Sequence, residues 1–137
     1  MFAKVLVANR GEIAVRAFRA ASPDGERARV SQGLVVVPTD SATPAQREKY
    51  RSYAASRRGR LGVPQGPGRL LFEEDLVGSA EQIAERLHAH AGFREVDEVA
   101  FALPFSFEPD DYVQILTDIA TRLGPALGWT PGSAATP

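Results

Sequence analysis

Apolar residues recur with two different periods along this chain, and the alternation of these periods predicts alternating strands and helices. Short runs of consecutive apolar or β-branched residues lie at 5–8, 34–37 and 99–103, and the first is typical of a strand buried on both faces. They predict strands over residues 5–8, 31–37 and 99–103. A pattern with helical spacing follows each run. A further amphipathic segment starts at Ser79. We therefore expect three parallel strands flanked by four helices.

Capping signals place the helix boundaries. Thr43 with Gln46, and Ser79 with Gln82, have the spacing of capping boxes. Pro109 opens the last helix, which Gly124-Pro125 is expected to end. The residues expected to face the core are Ile83, Ala84, Leu87 and Ala91 before a stop at Gly92, and Tyr112, Ile115, Leu116, Ile119 and Leu123 in the last helix.

Three segments interrupt the periodic pattern. Residues 22–25 read Ser-Pro-Asp-Gly, which is a turn signal and marks a seam in the chain. Four glycines and two prolines between residues 59 and 68 predict a loop or mobile linker. The tail over residues 131–137 is predicted to be disordered. The chain thus divides into residues 1–21, residues 22–130 and the tail.

Composition narrows the class of protein. A length of 137 residues suits one domain, and a net charge of −1 provides no general attraction to nucleic acid or to acidic lipid. The chain has no cysteine, which removes disulfides and thiolate metal sites and fits a reducing cytoplasm. No apolar run approaches the roughly 20 residues that span a bilayer. We expect a soluble, cytoplasmic α/β protein.

The first 21 residues carry a family resemblance. The phrase "FAKVLVANRGEIAVRAFRA" resembles the opening strand and helix of biotin carboxylases, the ATP-using part of pyruvate and acyl-CoA carboxylases. The resemblance ends at Ser22. The family's glycine-rich ATP lid, metal-binding carboxylates, and catalytic lysine and arginine have no counterpart here. One interpretation of the chain is therefore a piece of an ATP-dependent ligase, with ATP as its cofactor.

Residues 23–130 resemble a different family. The phrases "LVGSAEQIAERL", "VDEVAFALPF" and "LGPALGW", in this order, are similar to the C-terminal part of luciferase-like flavin oxidoreductases. That family uses a (β/α)₈ barrel and FMN or a deazaflavin. A full barrel needs about 250 residues, so this resemblance implies a partial barrel-like α/β fragment. Most flavin-binding strand ends of the family are missing, which implies a segment without catalytic competence of its own.

Four residues are candidates for cofactor binding within this resemblance. Gly78 and Ser79 open a helix where barrels often bind phosphate, and Pro104 and Phe105 follow a strand at the expected mouth of the site. For Ser79, helix capping is the favoured alternative. A small-molecule substrate is implied by the family alone.

Other side chains have simpler explanations. Asn9-Arg10-Gly11 is more typical of capping than of phosphate binding. His88 and His90 lie two residues apart on a helix and cannot share a metal as an i,i+4 pair does. The acidic residues at 97, 98, 110 and 111 precede a strand or occupy the first turn of a helix. No catalytic residue or metal site is predicted.

Three interpretations of function follow. The first is a truncated or chimeric luciferase-like flavin-dependent oxidoreductase or monooxygenase segment. The second is the biotin carboxylase fragment, and the third is a non-enzymatic fusion remnant or interaction module. Three strands cannot close a barrel, so we also expect self-association through open sheet edges.

Overall fold

The protein is described by a computed structural model that places residues 16, 19–21, 23, 25, 29–69 and 71–130. The expected first strand at residues 5–8, the capping by Asn9 and the tail at 131–137 lie outside the described residues. The same holds for most of residues 1–21 and for Ser22, so the proposed division of the chain at this point stays a prediction.

Strands and helices alternate in the described region. They are β1 (Ser31–Pro38), α1 (Pro44–Arg57), β2 (Leu76–Gly78), α2 (Ala80–Ala89), β3 (Glu98–Ala102) and α3 (Pro109–Asp118). Short 3₁₀ turns cover Arg58–Arg60 and Phe93–Glu95, and α3 continues through a wide π turn (Ile119–Leu123) into a last helical turn (Gly124–Ala126). The glycine-rich stretch between residues 59 and 68 is a loop, as its composition predicts.

The three strands form one parallel sheet in the order β2-β1-β3. Val36 of β1 lies opposite Leu76 of β2, and Leu34 of β1 lies opposite Phe101 of β3. The expected α/β class with three parallel strands is confirmed, although only β1 and β3 are strands that the sequence predicted. The sequence did not predict that β1 is the central strand, with β2 on one side and β3 on the other. In a closed barrel, by contrast, neighbouring strands follow one another along the chain.

Strand β2 was not expected from the sequence. It is three residues long and follows the glycine-rich loop, so it has no periodicity of its own. Its strand conformation is fixed by hydrogen bonding to β1, where the register pairs Val37 with Val77. A segment this short becomes a strand only when a neighbouring strand supplies its partners.

A hydrophobic cluster lies on each face of the sheet. On one face, Leu34, Val36 and Leu76 pack against α2 through Ile83 and Leu87. On the other face, the buried cluster is Val37, Ala42, Tyr50 and Ile115, which joins β1 to α1 and α3. Residues alternate between the two clusters along β1, as the two-residue period of a strand requires. Helices on both faces are the arrangement expected for a parallel sheet.

The helix starts agree with the capping signals, while two helix ends differ. Both capping boxes are formed, and α3 begins at Pro109. Helix α2 ends at Ala89 rather than before Gly92, and Ala91 is only half-buried. The expectation that the last helix stops at Gly124-Pro125 was wrong. Pro125 lacks an N–H, so the preceding turn widens and Gly124 N–H bonds to the Ile119 carbonyl, which lets the chain continue.

The buried face of α3 also differs from the expectation. Leu116 is 49 % exposed, whereas Asp111 and Asp118 are each 2 % exposed. Helix α3 lies over the end of β1, where backbone polar groups need hydrogen-bond partners. Polar side chains therefore occupy the inward stripe, and Leu116 is turned towards solvent.

The two outer strands of the described sheet underlie our prediction of self-association. Among the described strands, β2 and β3 each pair with β1 alone. Unpaired strand edges are templates for pairing with another chain. We expect the sedimentation coefficient to rise with protein concentration, and a single monomeric species at all concentrations would contradict this prediction.

Candidate functional site

Helix α3 lies across the carboxyl end of β1, the edge at which parallel α/β sheets bind their ligands. The Gln114 side chain donates from Nε2 to the Pro38 carbonyl over 3.1 Å, at the last residue of β1. Asp118 Oδ2 accepts a hydrogen bond from the Ser41 N–H at 2.9 Å. Gln114 Nε2 also lies 2.6 Å from Asp118 Oδ2. The end of β1 is therefore hydrogen-bonded to side chains of α3.

Asp111 is the centre of a buried polar cluster between α1 and α3. Its Oδ2 lies 2.6 Å from Lys49 Nζ and accepts the Glu108 N–H at 3.1 Å. Its Oδ1 accepts from Gln46 Nε2 at 3.2 Å. The cluster forms because Gln46, Lys49 and Tyr50 share one face of α1 through their i, i+3 and i+4 spacing. It links α1 to the first turn of α3.

Tyr50 completes this cluster from the apolar side. Its ring is fully buried and stacks on Phe107 with the ring centroids 5.2 Å apart. Its hydroxyl donates to Gln114 Oε1 over 2.8 Å, and Asp111 Oδ1 lies 3.3 Å away as a more distant acceptor. Through Gln114 the phenol is connected to the end of β1. One side chain thus joins the hydrophobic cluster to the polar network.

Burial and hydrogen bonding shift the pKa values of two members of this cluster, Asp111 and Tyr50. Burial by itself raises the pKa of Asp111, but the hydrogen bonds from Lys49, the Glu108 N–H and Gln46 outweigh it, so the pKa lies below its usual value. Burial, followed by the Asp111 charge, raises the pKa of Tyr50. At neutral pH the carboxylate is ionised and the phenol neutral. The Asp111 carboxylate and the Tyr50 phenol therefore stabilise the fold. Neither has a pKa shifted towards 7, as a group that transfers protons at neutral pH would need.

Of the predicted cofactor-binding residues, Gly78 and Ser79 lie at the start of α2. Ser79 Oγ accepts the Gln82 N–H at 3.1 Å and Gln82 Oε1 accepts the Ser79 N–H at 3.0 Å, which confirms capping by Ser79. The next N–H of the helix, that of Ala80, donates to Asp40 Oδ2 over 2.8 Å. A carboxylate of the chain itself therefore occupies a position that an anion would take.

The other two predicted residues, Pro104 and Phe105, follow β3. Pro104 is buried, and its carbonyl accepts a hydrogen bond from the Tyr112 hydroxyl at 3.0 Å. Phe105 is 76 % exposed. Because β1 separates β2 from β3, the two pairs of candidate residues lie at strand ends about 10 Å apart. The structure places all four at the same edge of the sheet, with the polar residues of β1 and α3 between them.

The histidines and the remaining acids have the surface positions that their spacing indicated. His88 and His90 are exposed, and His90 Nδ1 accepts the Phe93 N–H at 3.1 Å. Asp97 accepts the Val30 N–H at 2.8 Å, and this hydrogen bond, together with Arg19, lowers the pKa of Asp97. No group of residues in the described part of the chain has the composition of a metal site.

The buried cluster was missed at the sequence level. Asp111 was interpreted only as a charge in the first turn of a helix, where it does accept the Glu108 N–H. A signal was present in the spacing of Asp111, Gln114 and Asp118, which repeats at i, i+3 and i+7 and marks one helix face. A polar stripe of this kind is ordinarily assigned to solvent, and only packing against α1 and the end of β1 makes it interior.

A pocket of about 150 Å³ lies away from all four candidate residues. Its floor is Leu34, Leu76 and Leu87, and its rim includes the ion pair between Arg86 and Glu74, whose nearest atoms are 2.6 Å apart. Because α2 runs back from the end of β2, this pocket is displaced towards the amino ends of the strands. It does not extend the predicted cofactor site.

Comparisons with known proteins add no assignment: no family model matches the chain, no curated protein matches it, and no solved structure matches it. No helix in the described part of the chain combines the length and apolar character that crossing a membrane requires.

Proposed function

We propose that this chain is a non-catalytic α/β module related to the C-terminal part of luciferase-like flavin oxidoreductases. The relation rests on the resemblance of residues 23–130. The absence of catalysis in the isolated chain is supported by one observation: the chain's own side chains occupy the carboxyl edge of the sheet. Asp40 bonds to the N–H of Ala80, and Gln114 and Asp118 bond to the end of β1.

A flavin phosphate at this edge would have to displace these groups. The Ala80 N–H at the start of α2 already has a charged acceptor, and a phosphate placed beside Asp40 would meet a like charge. Moving α3 away would break the hydrogen bond between the buried Asp118 carboxylate and the Ser41 N–H, and would leave the carbonyl of the buried Pro38 without the Gln114 amide, which is costly for buried groups. The module is proposed to act through its surfaces, in the cytoplasm, consistent with a chain that has no cysteine.

We expect no saturable binding when the full chain is titrated with FMN or a deazaflavin up to about 1 mM. This concentration would still detect a complex with a Kd near 1 mM, which corresponds to about −4 kcal/mol of binding free energy. Flavin fluorescence and calorimetry are the measurements. ATP, tested in parallel with bicarbonate-dependent hydrolysis, examines the biotin carboxylase interpretation. Tight stoichiometric flavin binding would overturn the proposal, and ATP hydrolysis would favour the ligase interpretation.

A pair of variants tests the role of Asp40 directly. Asp40→Ala frees the Ala80 N–H, so this variant should gain measurable affinity for inorganic phosphate or FMN. Glu48→Ala is the matched control, because it removes the same charge from an exposed side chain whose ion pair is with Arg51. If both variants behave alike, Asp40 does not exclude anions from this position.

A further inference from the structure

The described residues between positions 58 and 72 form a closed loop between α1 and β2, which we call the basic loop. A parallel β-bridge between Leu61 and Phe72 holds the two arms of this loop together. Gly62 and Gly66 take left-handed backbone conformations, with φ angles of 71° and 63°, and so allow the chain to turn back between the arms. Compact surface loops with adjacent ends frequently carry function.

The base of the basic loop is fixed to the body of the protein. Arg57, at the end of α1, and Asp75, just before β2, form a largely buried ion pair in which Nε and Oδ2 are 2.5 Å apart. The Arg57 guanidinium also lies over the ring of Tyr53, 5.1 Å from its centroid. Residues 58–69 are exposed apart from the half-buried Gln65. The loop therefore extends into solvent from a fixed base.

The basic loop carries positive charge that its surroundings leave unbalanced. It contains three arginines, Arg58, Arg60 and Arg69, and no acidic residue, whereas the whole chain has a net charge of −1. Among the described residues, none of these arginines lies in an ion pair. Glu74, which follows the loop, pairs instead with Arg86 at 2.6 Å. The loop therefore attracts anions locally, although the chain as a whole does not.

Exposed apolar side chains are concentrated on the same loop. Seven large hydrophobic residues of the described chain are exposed, and three of them, Leu61, Val63 and Leu71, belong to the basic loop. Leu61 directly follows Arg60, and the Val63 N–H donates to the Arg60 carbonyl at 3.2 Å, so apolar and cationic residues are interleaved. Clustered exposed apolar residues mark interaction sites.

The shape of the basic loop favours insertion into a bilayer over the binding of a peptide or a nucleic acid. The concavity at its base, lined by Leu61 and Phe72 among others, has a volume of about 10 Å³. Such a volume holds about one water molecule and no side chain of a partner. The exposed residues described in the loop include no aromatic ring that could stack on a base. Its apolar side chains are thus available to enter a lipid surface.

Cationic side chains interleaved with aliphatic ones match the chemistry of an anionic bilayer surface. Arginine pairs with lipid phosphates, and leucine and valine enter the boundary between headgroups and acyl chains. We propose that the basic loop attaches this chain to anionic membranes, with its three arginines at the headgroups and its three exposed aliphatic side chains among the acyl chains. The inference rests on the proposed function, since it names a surface through which the non-catalytic module acts.

Vesicle sedimentation with the full chain tests the proposal. We expect the chain to bind vesicles of phosphatidylcholine that contain about 30 % phosphatidylserine and not vesicles of phosphatidylcholine alone, because only the former carry a negative surface charge. Binding should weaken as the salt concentration is raised, since salt screens exposed charges. Flavin titration is a separate measurement, so failure of the membrane proposal is distinguishable from failure of the proposed function.

Two pairs of variants locate the contact. Arg60→Glu should weaken binding to the anionic vesicles at least about fivefold, because it removes a cation from the charged surface. Arg122→Glu makes the same change at an exposed arginine outside the loop and should have little effect. Val63→Ser should weaken binding at least about threefold by removing apolar surface that enters the bilayer, whereas Val113→Ser, at an exposed valine of α3, should not. An unchanged circular dichroism spectrum shows that each variant is folded.

The outcomes separate a membrane from other anionic partners. Binding that requires phosphatidylserine and is weakened by the two loop variants alone supports the proposal. Lack of vesicle binding, equal binding to neutral and anionic vesicles, or equal losses in the loop and control variants each overturn it. Binding to a polyglutamate peptide or to a single-stranded oligonucleotide without binding to vesicles also overturns it, and identifies an acidic protein or a nucleic acid as the partner.

Discussion

Replacing Tyr50 by alanine is expected to lower the free energy of unfolding by about 3–5 kcal/mol, the cost of deleting a buried aromatic side chain. The ring is fully buried, stacks on Phe107 and packs with Val37 and Ile115. Its loss leaves a cavity between α1 and β1 and removes the donor to Gln114. Denaturant unfolding followed by circular dichroism measures the effect.

A milder substitution separates packing from hydrogen bonding at this position. Tyr50→Phe keeps the ring and removes only the hydroxyl, so we expect a loss of about 1–2 kcal/mol from the unpaired Gln114 oxygen. Tyr53→Phe is the control, because Tyr53 is half-buried and contacts Phe107 through its ring. Equal effects of the Tyr50 and Tyr53 phenylalanine variants would show that the Tyr50 hydroxyl contributes nothing.

Asp111→Asn is expected to lower the free energy of unfolding by about 2–3 kcal/mol, because it removes the charge partner of Lys49 within a buried cluster. In the asparagine, an NH₂ group replaces one of the two carboxylate oxygens. That group cannot accept a hydrogen bond, so either the Gln46 amide or the Glu108 N–H loses its acceptor. Lys49 is 44 % exposed, so water compensates part of the loss. Asp110→Asn, an exposed neighbour in the same turn, should change stability by less than about 0.5 kcal/mol.

The pH dependence of the Asp111 variant gives an independent readout. The pKa of Asp111 is lowered in the folded protein, so the stability that its ionisation contributes is present above the unfolded pKa of about 3.9. This contribution is lost as the pH falls through the lower, folded pKa. The difference in stability between the parent chain and Asp111→Asn should therefore shrink on acidification below about pH 4. A difference that is constant from pH 7 to pH 2 would assign the effect to packing alone.

The fold class was accessible from the sequence because its signals are local. The apolar runs of β1 and β3 and the helical spacing after them place these elements to within about one residue. Capping boxes at Thr43 and Ser79 fix where α1 and α2 begin. A capping box is formed by two residues only three positions apart, so it can be recognised in the sequence. The candidate residues Gly78 and Ser79 could be placed at a helix start for the same reason.

The end of the last helix was harder to predict. Gly124 and Pro125 ordinarily end a helix. Here the turn at Ile119–Leu123 is widened, with the Gly124 N–H bonded to the Ile119 carbonyl, so the helix continues although the proline has no N–H to donate. The wide turn places Leu123, fully buried, on the cluster with Leu34 and Leu87, and the continuation adds the partly buried Leu127. The hydrophobic burial gained there depends on residues distant in the chain, which a local stop signal does not contain.

The sequence by itself determined the alternation of strands and helices, the helix starts and the parallel class of the sheet. Tertiary structure alone decided that β1 is central, that the three residues of β2 form a strand, and that Asp111, Gln114 and Asp118 face inward. Periodicity and capping depend on neighbours within a few residues. Strand order and the burial of polar groups depend on contacts between residues distant in the chain. Val36 and Leu76 are 40 positions apart, and Tyr50 and Gln114 are 64 positions apart.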